Sequence, residues 1–249
     1  MTIKTEKDIE ILREGGKKLA RVMKHVLSFI APGISAEELD RIAEEKIKQE
    51  SAQASFKGYE GYPSSICVSV NDEIVHGIPY KEKILQEGDL IAVDIGLIYN
   101  GLFTDMARTV IVGKGDIDAR RLLTVTEKAL ARGIGAVKHG AFVGDIGRAV
   151  ESYVHPYGFG IVRKLVGHGV GYGVHEEPQI PNFVSSDTKD AKLLAGMVIA
   201  IEPMITEKGE DIITDADTWT VRTKDGSRAA HFEDTVLVKK NGAEILTRI

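Results

Sequence analysis

Apolar residues follow a helical spacing in some stretches of the chain and an alternating spacing in others, and the changes mark the predicted elements. The spacing predicts a first helix over residues 6–30, which Ala31-Pro32-Gly33 ends. Ser35 and Glu38 form a capping-box pattern that predicts the start of a second helix. The remaining pattern predicts helices over residues 118–138 and 145–157, strands over 65–70, 197–207 and 228–239, and loop or extended chain over 162–178. Together these elements predict an α+β protein.

The strongest local signal is a hairpin within residues 89–113, DLIAVDIGLIYNGLFTDMARTVIVG. Asn100-Gly101 is typical of a two-residue turn, which makes the numbers of paired residues sum to 201. Asp105 then lies opposite Gly96, and Asp94 points to the same face because it is two residues from Gly96. The two carboxylates become diagonal neighbours about 7 Å apart or less at Cβ. Charges that close repel unless a cation or a shared proton lies between them.

A solvent-exposed hairpin is the alternative interpretation of these two aspartates. Residues 90–95, LIAVDI, are apolar on both faces of the predicted strand, which favours burial. A buried carboxylate is nearly always paired or bound to a metal.

The order of these patterns repeats along the chain. Residues 87–94 match 195–202 and place Asp94 over Glu202, while residues 103–105 resemble 231–233 and place Asp105 over Glu233. Residues 39–44 and 76–79 have similar counterparts at 146–151 and 175–178. Chance similarity is the alternative for windows this short, but four matches in one order favour duplication. We therefore predict a single domain over residues 1–249, with halves at about 6–113 and 116–239.

Two related halves facing each other would bring Asp94, Asp105, Glu202 and Glu233 to a common centre. Four inward carboxylates without cations would be strongly destabilising, so the repeat predicts metal. His168 lies between two glycines that allow close backbone approach, which makes it the best candidate nitrogen ligand, although a structural loop histidine is the alternative. Four carboxylates and one histidine provide enough ligands for two bridged metal ions. The imidazole favours Mn, Fe, Co or Zn over Mg or Ca.

Composition limits the remaining function classes. The 249 residues carry a net charge of −5, which argues against broad nucleic-acid binding, and contain no apolar run long enough to span a bilayer. The N-terminus lacks the apolar segment of a secretory signal, and the single cysteine, Cys67, fits a reducing compartment. We therefore expect a cytoplasmic protein with no membrane partner. The basic residues near the N-terminus are expected to form a solvated helix face: Lys4, Lys7, Arg13, Lys17 and Lys18.

Six segments carry a family resemblance: GYPSSICVSVNDEIVHGIP, DIGLIYNGLFTDMART, GHGVGYGVHEEPQIP, IEPM, WTVRTKDG and FEDTVLV. In sequence and order they resemble the type I methionine aminopeptidases, M24 metallopeptidases of the pita-bread (creatinase/aminopeptidase) fold. That fold implies two pseudo-symmetric helix-helix-hairpin halves, a central curved antiparallel sheet and outer helices.

The resemblance also implies roles for individual residues. The metal ligands would be Asp94, Asp105, His168, Glu202 and Glu233, with Asp105 and Glu233 bridging two ions, Asp94 chiefly on one, and His168 and Glu202 on the other. In the implied reaction a metal-bridging hydroxide attacks the carbonyl of the initiator methionine, and Glu202 shuttles the proton to the leaving amine. His76 and His175 would hydrogen-bond the substrate near the scissile bond, with structural loop contacts as their alternative.

The resemblance further places a methionine pocket at Tyr59, Tyr62, Cys67 and Trp219, which would otherwise be read as core residues. Val174 stands where relatives often carry Phe, with Tyr172 two residues earlier, so the shape of this pocket departs from the family pattern. The carbonyls of Asn71, Glu73 and Ala229 resemble positions that hold a monovalent cation, Na⁺ or K⁺, in relatives.

By the same resemblance, the substrates are nascent polypeptide N-termini with a small second residue, and transient ribosome contact would fit this role. Nothing in the sequence suggests an obligate partner surface, so we expect a monomer without nucleic-acid specificity. One alternative is a prolidase or proline aminopeptidase, although these usually carry a sizeable domain ahead of the first helix pair. A non-catalytic peptide- or ribosome-binding relative would lose metal ligands, and a purely structural carboxylate cluster would leave the repeat unexplained.

Overall fold

The computed structural model describes residues 2–184 and 190–249. Within these residues the helices are α1 (Glu6–Leu27), α2 (Ala36–Gln49), α3 (Ile117–Gly135) and α4 (Val143–Val154), with short 3-10 turns at Tyr59–Gly61 and His155–Tyr157. The strands are β1 (Gln53–Ala54), β2 (Cys67–Val70), β3 (Glu73–Val75), β4 (Leu90–Tyr99), β5 (Leu102–Ile111), β6 (Gly160–Ile161), β7 (Gly167–Gly169), β8 (Glu176–Ile180), β9 (Val198–Ile201), β10 (Met204–Thr206), β11 (Ile212–Thr214), β12 (Val221–Thr223), β13 (Ala229–His231), β14 (Glu233–Lys239) and β15 (Gly242–Ile245).

The first two helices both begin at a capping residue, and α2 begins where the Ser35–Glu38 pattern predicts. Ser35 Oγ accepts a hydrogen bond from the Glu38 backbone N–H at 3.1 Å and caps α2. Thr5 and Asp8 form a reciprocal capping box at the start of α1. None of the described helices is both long and apolar enough to cross a lipid bilayer.

The main sheet is antiparallel along its whole path and has a pseudo-two-fold arrangement. Strand order is β1-β4-β5-β14-β9-β7-β8, with β2 also pairing β4. Strands β5 and β14 therefore lie side by side at the centre, and each is flanked by the preceding long strand of its own half. The helix pair α1–α2 precedes β4–β5, and α3–α4 precedes β9–β14, as the repeat predicts.

The central hairpin has the predicted register. Gly96 pairs with Asp105 and Asp94 with Ala107, so the paired numbers sum to 201. Asn100 and Gly101 both adopt positive φ, at 48° and 81°. Both central residues of a type I′ turn require this conformation, and Asn and Gly tolerate it.

In each half the helices pack against one set of alternating strand side chains, and the opposite set includes the acidic residues of the centre. In β4, Ile91, Val93, Ile95 and Leu97 pack into a cluster with apolar residues of α1 and α2. In β9, Ile199 and Ile201 pack with Leu130 of α3 and Ile146 of α4. Because strand side chains alternate between faces, Asp94 in β4 points away from the helices.

Several predicted bounds are wrong. Each long strand predicted in the second half is divided in two: β9 and β10 are separated at Glu202-Pro203, and β13 and β14 at Phe232. Pro203 has no N–H to donate to a sheet ladder, and β9 and β10 belong to different sheets. The helix predicted to reach residue 30 ends at Leu27, whereas residues 162–178, predicted to be loop or extended chain, contain β7 and the start of β8 and so agree with that prediction.

Candidate metal centre and substrate cavity

Four acidic side chains lie together on the sheet face opposite the helices. Asp94 and Asp105 come from the central hairpin, Glu233 from the first residue of β14, and Glu202 from the residue after β9. Asp94, Asp105 and Glu233 are at most 8% exposed. A pair of hydrogen bonds joins the halves at this point, because the Asp105 N–H donates to Thr235 Oγ1 and Thr235 Oγ1 donates to the Asp105 carbonyl, both at 2.8 Å.

The side chains at this centre are spaced closely enough to share metal ions. One group comprises Asp105, His168 and Glu233, and a second comprises Glu202, His231 and Glu233. In each group the ligand atoms lie within 4.8 Å of one another. Glu233 belongs to both groups, which is the arrangement that a bridging carboxylate requires.

His168 is oriented as a ligand. Its Nδ1 lies 2.9 Å from the Gly169 carbonyl oxygen, and a carbonyl can only accept, so Nδ1 carries the proton. Burial lowers the pKa of His168, and a neutral ring then has its lone pair on Nε2. Nε2 faces the centre, 3.4 Å from Glu202 Oε1. Metal-bound histidines usually donate their other N–H in this way.

The electrostatics of the centre fit bound cations. Burial raises the pKa of Glu202 to about 7, and burial together with the charge of Glu202 raises the pKa of Asp105 to about 7. Burial together with neighbouring carboxylates raises the pKa values of Asp94 and Glu233 well above their usual range. Asp94 Oδ1 and Glu233 Oε1 are buried without a hydrogen-bond partner. Oxygen atoms in this state are suited to hard or borderline divalent ions.

His231 is a site residue that the sequence analysis did not single out. Its ring Nε2 lies 3.5 Å from Glu202 Oε2 and 3.9 Å from Glu233 Oε2, and neither ring nitrogen has a hydrogen-bond partner. Burial lowers the pKa of His231 to about 3, so the ring is neutral. The spacing from Glu233 was the available signal, because residues two apart in an extended chain share a face.

A cavity of about 140 Å³, named here the closed cavity, lies against the centre. All eleven of the site residues predicted from the sequence line it: Asp94, Asp105, His168, Glu202, Glu233, His76, His175, Tyr59, Tyr62, Cys67 and Trp219. Phe56 and Val174 complete its apolar wall. The rings of Tyr62 and Trp219 meet edge to face with centroids 5.1 Å apart. Burial raises the pKa of the Cys67 thiol, which disfavours the thiolate that a nucleophile needs.

A second, more open cavity of about 480 Å³, named here the open cavity, adjoins the closed cavity. Four residues line both cavities: His76, His168, His175 and Glu202. Burial lowers the pKa of His76 to about 4, and the Tyr59 hydroxyl lies 3.2 Å from His175 Nδ1. His76 has a φ of +57°, a conformation that non-glycine residues seldom adopt and that often occurs at functional sites.

Comparisons with known proteins agree with this arrangement. Residues 10–240 match the model of metallopeptidase family M24. The chain is 46% identical over 246 residues to methionine aminopeptidase 1 of Bacillus subtilis, covering 99% of this chain and 98% of that protein. The crystal structure of methionine aminopeptidase from Thermotoga maritima superposes with a TM-score of 0.97 at 43% identity, covering 100% of both chains.

The chain therefore belongs to metallopeptidase family M24. Within that family its similarity is greater to the methionine aminopeptidases than to the prolidases. The prolidase from Pyrococcus furiosus is 25% identical, with a TM-score of 0.77, and the match covers 65% of that longer chain. The predicted family and the predicted pita-bread fold are confirmed, and the prolidase alternative is not favoured.

Proposed function

We propose that this protein is a metallo-aminopeptidase that removes the initiator methionine from polypeptides whose second residue is small. The observation that carries the proposal is the junction of two cavities at a cluster of four carboxylates, of which Asp94, Asp105 and Glu233 are buried. An apolar cavity of about 140 Å³ ends at the acidic centre, and the open cavity continues from the same four shared residues. A peptide bond held at this junction would place its N-terminal side chain in the closed cavity and the rest of the chain in the open one.

We propose that Asp94, Asp105, His168, Glu202 and Glu233 hold two divalent ions, which would be Co, Mn, Fe or Zn. Two groups of possible ligands share Glu233, which supports a bridged pair; they include four of the five proposed ligands and His231, and Asp94 belongs to neither group. When bound, such ions lower the pKa of a coordinated water and polarise the scissile carbonyl. The carbonyls of Asn71, Glu73 and Ala229 are proposed to hold a monovalent cation, Na⁺ or K⁺.

The side chains at the junction of the cavities would bind the reacting group and transfer its proton. Glu202 is proposed to carry the proton to the leaving amine, since its carboxylate lines both cavities. His76 and His175 are neutral rings at the same junction, where they can hydrogen-bond the carbonyl oxygen as it gains negative charge. If the Tyr59 hydroxyl donates to His175 Nδ1, the Nε2–H of His175 is free for the substrate.

The closed cavity suits a methionine side chain. Tyr59, Tyr62, Phe56 and Trp219 supply aromatic walls, and sulfur makes favourable contacts with aromatic rings. Val174 is 5% exposed and is smaller than Phe, which relatives often carry at this position, so we propose that it leaves additional room on one side of the cavity.

The test compares Met-Ala-Ser with Met-Lys-Ser, using purified enzyme with and without added Mn²⁺ or Co²⁺. We expect methionine to be released rapidly from the alanine peptide and only slowly from the lysine peptide. Treatment with a chelator should abolish methionine release from both peptides. Rapid cleavage of the lysine peptide, or turnover that the chelator leaves unaffected, would contradict the proposal.

We further propose that residues 1–249 act as one catalytic domain, with halves at about 6–113 and 116–239. The protein would work as a cytoplasmic monomer on nascent chains, with transient ribosome contact. The hydrogen bonds between Asp105 and Thr235, which join the halves at the centre, support a single unit. Light scattering of the metal-loaded enzyme tests the monomer, and co-sedimentation with ribosomes tests the contact.

A further inference from the structure

The residues before α1 pack against the loop that carries His175. The Lys4 N–H donates to the Gly196 carbonyl at 2.9 Å, which fixes this segment against the loop before β9. The Lys4 side chain is 0% exposed, so the expectation that it forms part of a solvated helix face is wrong. A lysine is almost never fully buried unless it is paired, so its partners indicate what its burial serves.

The Lys4 ammonium contacts side chains of two segments, the N-terminus and residues 171–176. Its Nζ lies 2.8 Å from both carboxylate oxygens of Glu176 and 3.0 Å from Thr2 Oγ1. It also lies 3.9 Å from the centroid of the Tyr172 ring, within the range of a cation–π interaction. Burial lowers the pKa of Lys4, while the hydrogen bond and charge of Glu176 oppose that shift.

Glu176 transmits this contact to the backbone of the loop. Its Oε1 accepts hydrogen bonds from the N–H groups of Tyr172 and Gly173, at 2.5 and 3.3 Å. The Tyr172 hydroxyl donates to Asp8 Oδ2 at 2.7 Å, and Asp8 belongs to the capping box of α1. The turn at Tyr172-Gly173 is therefore tied to the N-terminus on two sides.

The two residues that follow this turn belong to the site. Val174 lines the closed cavity, and His175 lines both cavities. At its start the loop is held by the Phe103 N–H, which donates to the Gly171 carbonyl at 2.8 Å. Glu176 fixes the turn that precedes Val174 and His175, and the Lys4 ammonium holds the Glu176 carboxylate in place. The positions of Val174 and His175 therefore depend on Lys4 through Glu176.

We propose that Lys4 is a positioning residue that acts through Glu176 and Tyr172 to place Val174 and His175 in the substrate cavity. This role rests on the proposed aminopeptidase function, because it assigns substrate contact to His175. Lys4 itself lines neither cavity, so it touches no substrate.

The decisive variant is Lys4→Met, which keeps an unbranched side chain and removes the charge. Glu176, whose side chain is 14% exposed, would then be a largely buried carboxylate without its cation and would move toward water. We expect kcat/KM for Met-Ala-Ser to fall by about 10- to 100-fold, since a misplacement of about 1 Å can cost that much. Metal content should stay unchanged, because none of the five proposed ligands lies between residues 171 and 176.

Lys18→Met is the matched control. The Lys18 side chain is 14% exposed, and its ammonium lies 4.7 Å from the centroid of the Tyr99 ring and donates to the Glu50 carbonyl at 2.8 Å. Lys18 is thus a largely buried lysine that packs on a tyrosine ring, like Lys4, but it does not contact the loop at residues 171–176. We expect its activity to remain within about twofold of the unaltered enzyme, as for a site with no contact to the reaction.

Two further variants separate positioning from general destabilisation. Lys4→Arg keeps a cation and should restore part of kcat/KM. Glu176→Gln combined with Lys4→Met removes the unpaired charge but keeps an acceptor for the loop N–H groups, so the double variant should be more active than Lys4→Met alone. Loss of activity by unfolding would give neither form of rescue.

Amide hydrogen exchange supplies a readout that does not depend on turnover. Peptides covering residues 171–176 should exchange faster in Lys4→Met than in the unaltered enzyme, and at the unaltered rate in Lys18→Met. Unchanged exchange in Lys4→Met, or faster exchange with undiminished kcat/KM, would overturn the positioning role. Failure of the unaltered metal-loaded enzyme to cleave Met-Ala-Ser would instead contradict the proposed function.

Discussion

Asp105 occupies a position that is unfavourable for a carboxylate without a cation. Its side chain is 5% exposed, and both burial and the charge of Glu202 raise its pKa to about 7. Proteins tolerate such a group where function requires it, at a cost in stability elsewhere. Asp105 therefore offers a test in which metal binding and stability should change in opposite directions.

We predict that Asp105→Asn lowers metal occupancy and kcat together, with a loss of more than about 100-fold, since even the supporting residues of a metal site often contribute 10- to 100-fold. The metal-free variant should unfold at a higher temperature than the metal-free unaltered protein at pH 8, because one buried charge is gone. Metal analysis, turnover of Met-Ala-Ser and thermal unfolding measure the three effects. Asp118→Asn, at an exposed position in the first turn of α3, should change neither metal occupancy nor kcat.

The placement of a single side chain was predictable from the sequence where residue spacing alone decides the sheet face to which it points. The turn at Asn100-Gly101 fixed the register, and the register placed Asp94 and Asp105 on one face. The burial of Lys4 could not be predicted this way, because its partners Glu176 and Tyr172 lie far away in sequence. The spacing of His231 from Glu233 was a usable signal, but its contact with Glu202 could not be predicted, because it depends on how two separate sheets meet.

At the scale of elements, the agreement is best where each element carries its own local signals. The capping pattern at Ser35 predicted the start of α2, and apolar spacing predicted the start of α1, whereas the strand predicted over residues 197–207 is interrupted at Glu202-Pro203 and the one over 228–239 at Phe232. Helix α1 also contains two adjacent glycines with different surroundings. A Cβ added at Gly15 would be 3.4 Å from Tyr99 Cβ, an ordinary contact, whereas one added at Gly16 would be 2.2 Å from the Leu246 carbonyl oxygen.

We predict that Gly15→Ala and Gly16→Ala have opposite effects on stability. Alanine in a helix interior is favoured over glycine by up to about 1 kcal/mol, so Gly15→Ala should raise the free energy of unfolding. Gly16→Ala should lower it by about 1–3 kcal/mol, because the C-terminal backbone must shift away from α1. Urea denaturation of the two metal-free variants at one pH makes the comparison. Equal stability of the two would contradict the close packing of α1 on residue 246.

At the scale of the whole molecule, the acidic centre couples stability to pH and metal. In the metal-free protein the folded-state pKa values of Asp105 and Glu202 are about 7, above those of the unfolded chain. The folded state therefore holds more protons than the unfolded state, and stability falls as pH rises through 7. The buried histidines have lowered pKa values, about 4 for His76 and about 3 for His231, so they oppose this trend only at lower pH.

We predict that raising the pH from 7 to 8.5 lowers the free energy of unfolding of the chelator-treated protein by about 1 kcal/mol, because Asp105 and Glu202 are each half protonated at pH 7 and each loses about 0.4 kcal/mol as that proton leaves. The Mn²⁺-loaded protein should show little change over the same range, because the bound ions keep the carboxylates ionised. Urea denaturation at the two pH values, with and without metal, gives the comparison. Equal pH dependence of the two forms would contradict a metal site at these carboxylates.

The join between β5 and β14 has a further consequence for assembly of the molecule. Asp94 and Asp105 come from one half of the chain, whereas His168, Glu202 and Glu233 come from the other. Neither half alone supplies all five of the proposed ligands, so ions bound there would also hold the two halves together. Loss of metal from such a site would therefore lower the activity and weaken the contact between the two halves at the same time.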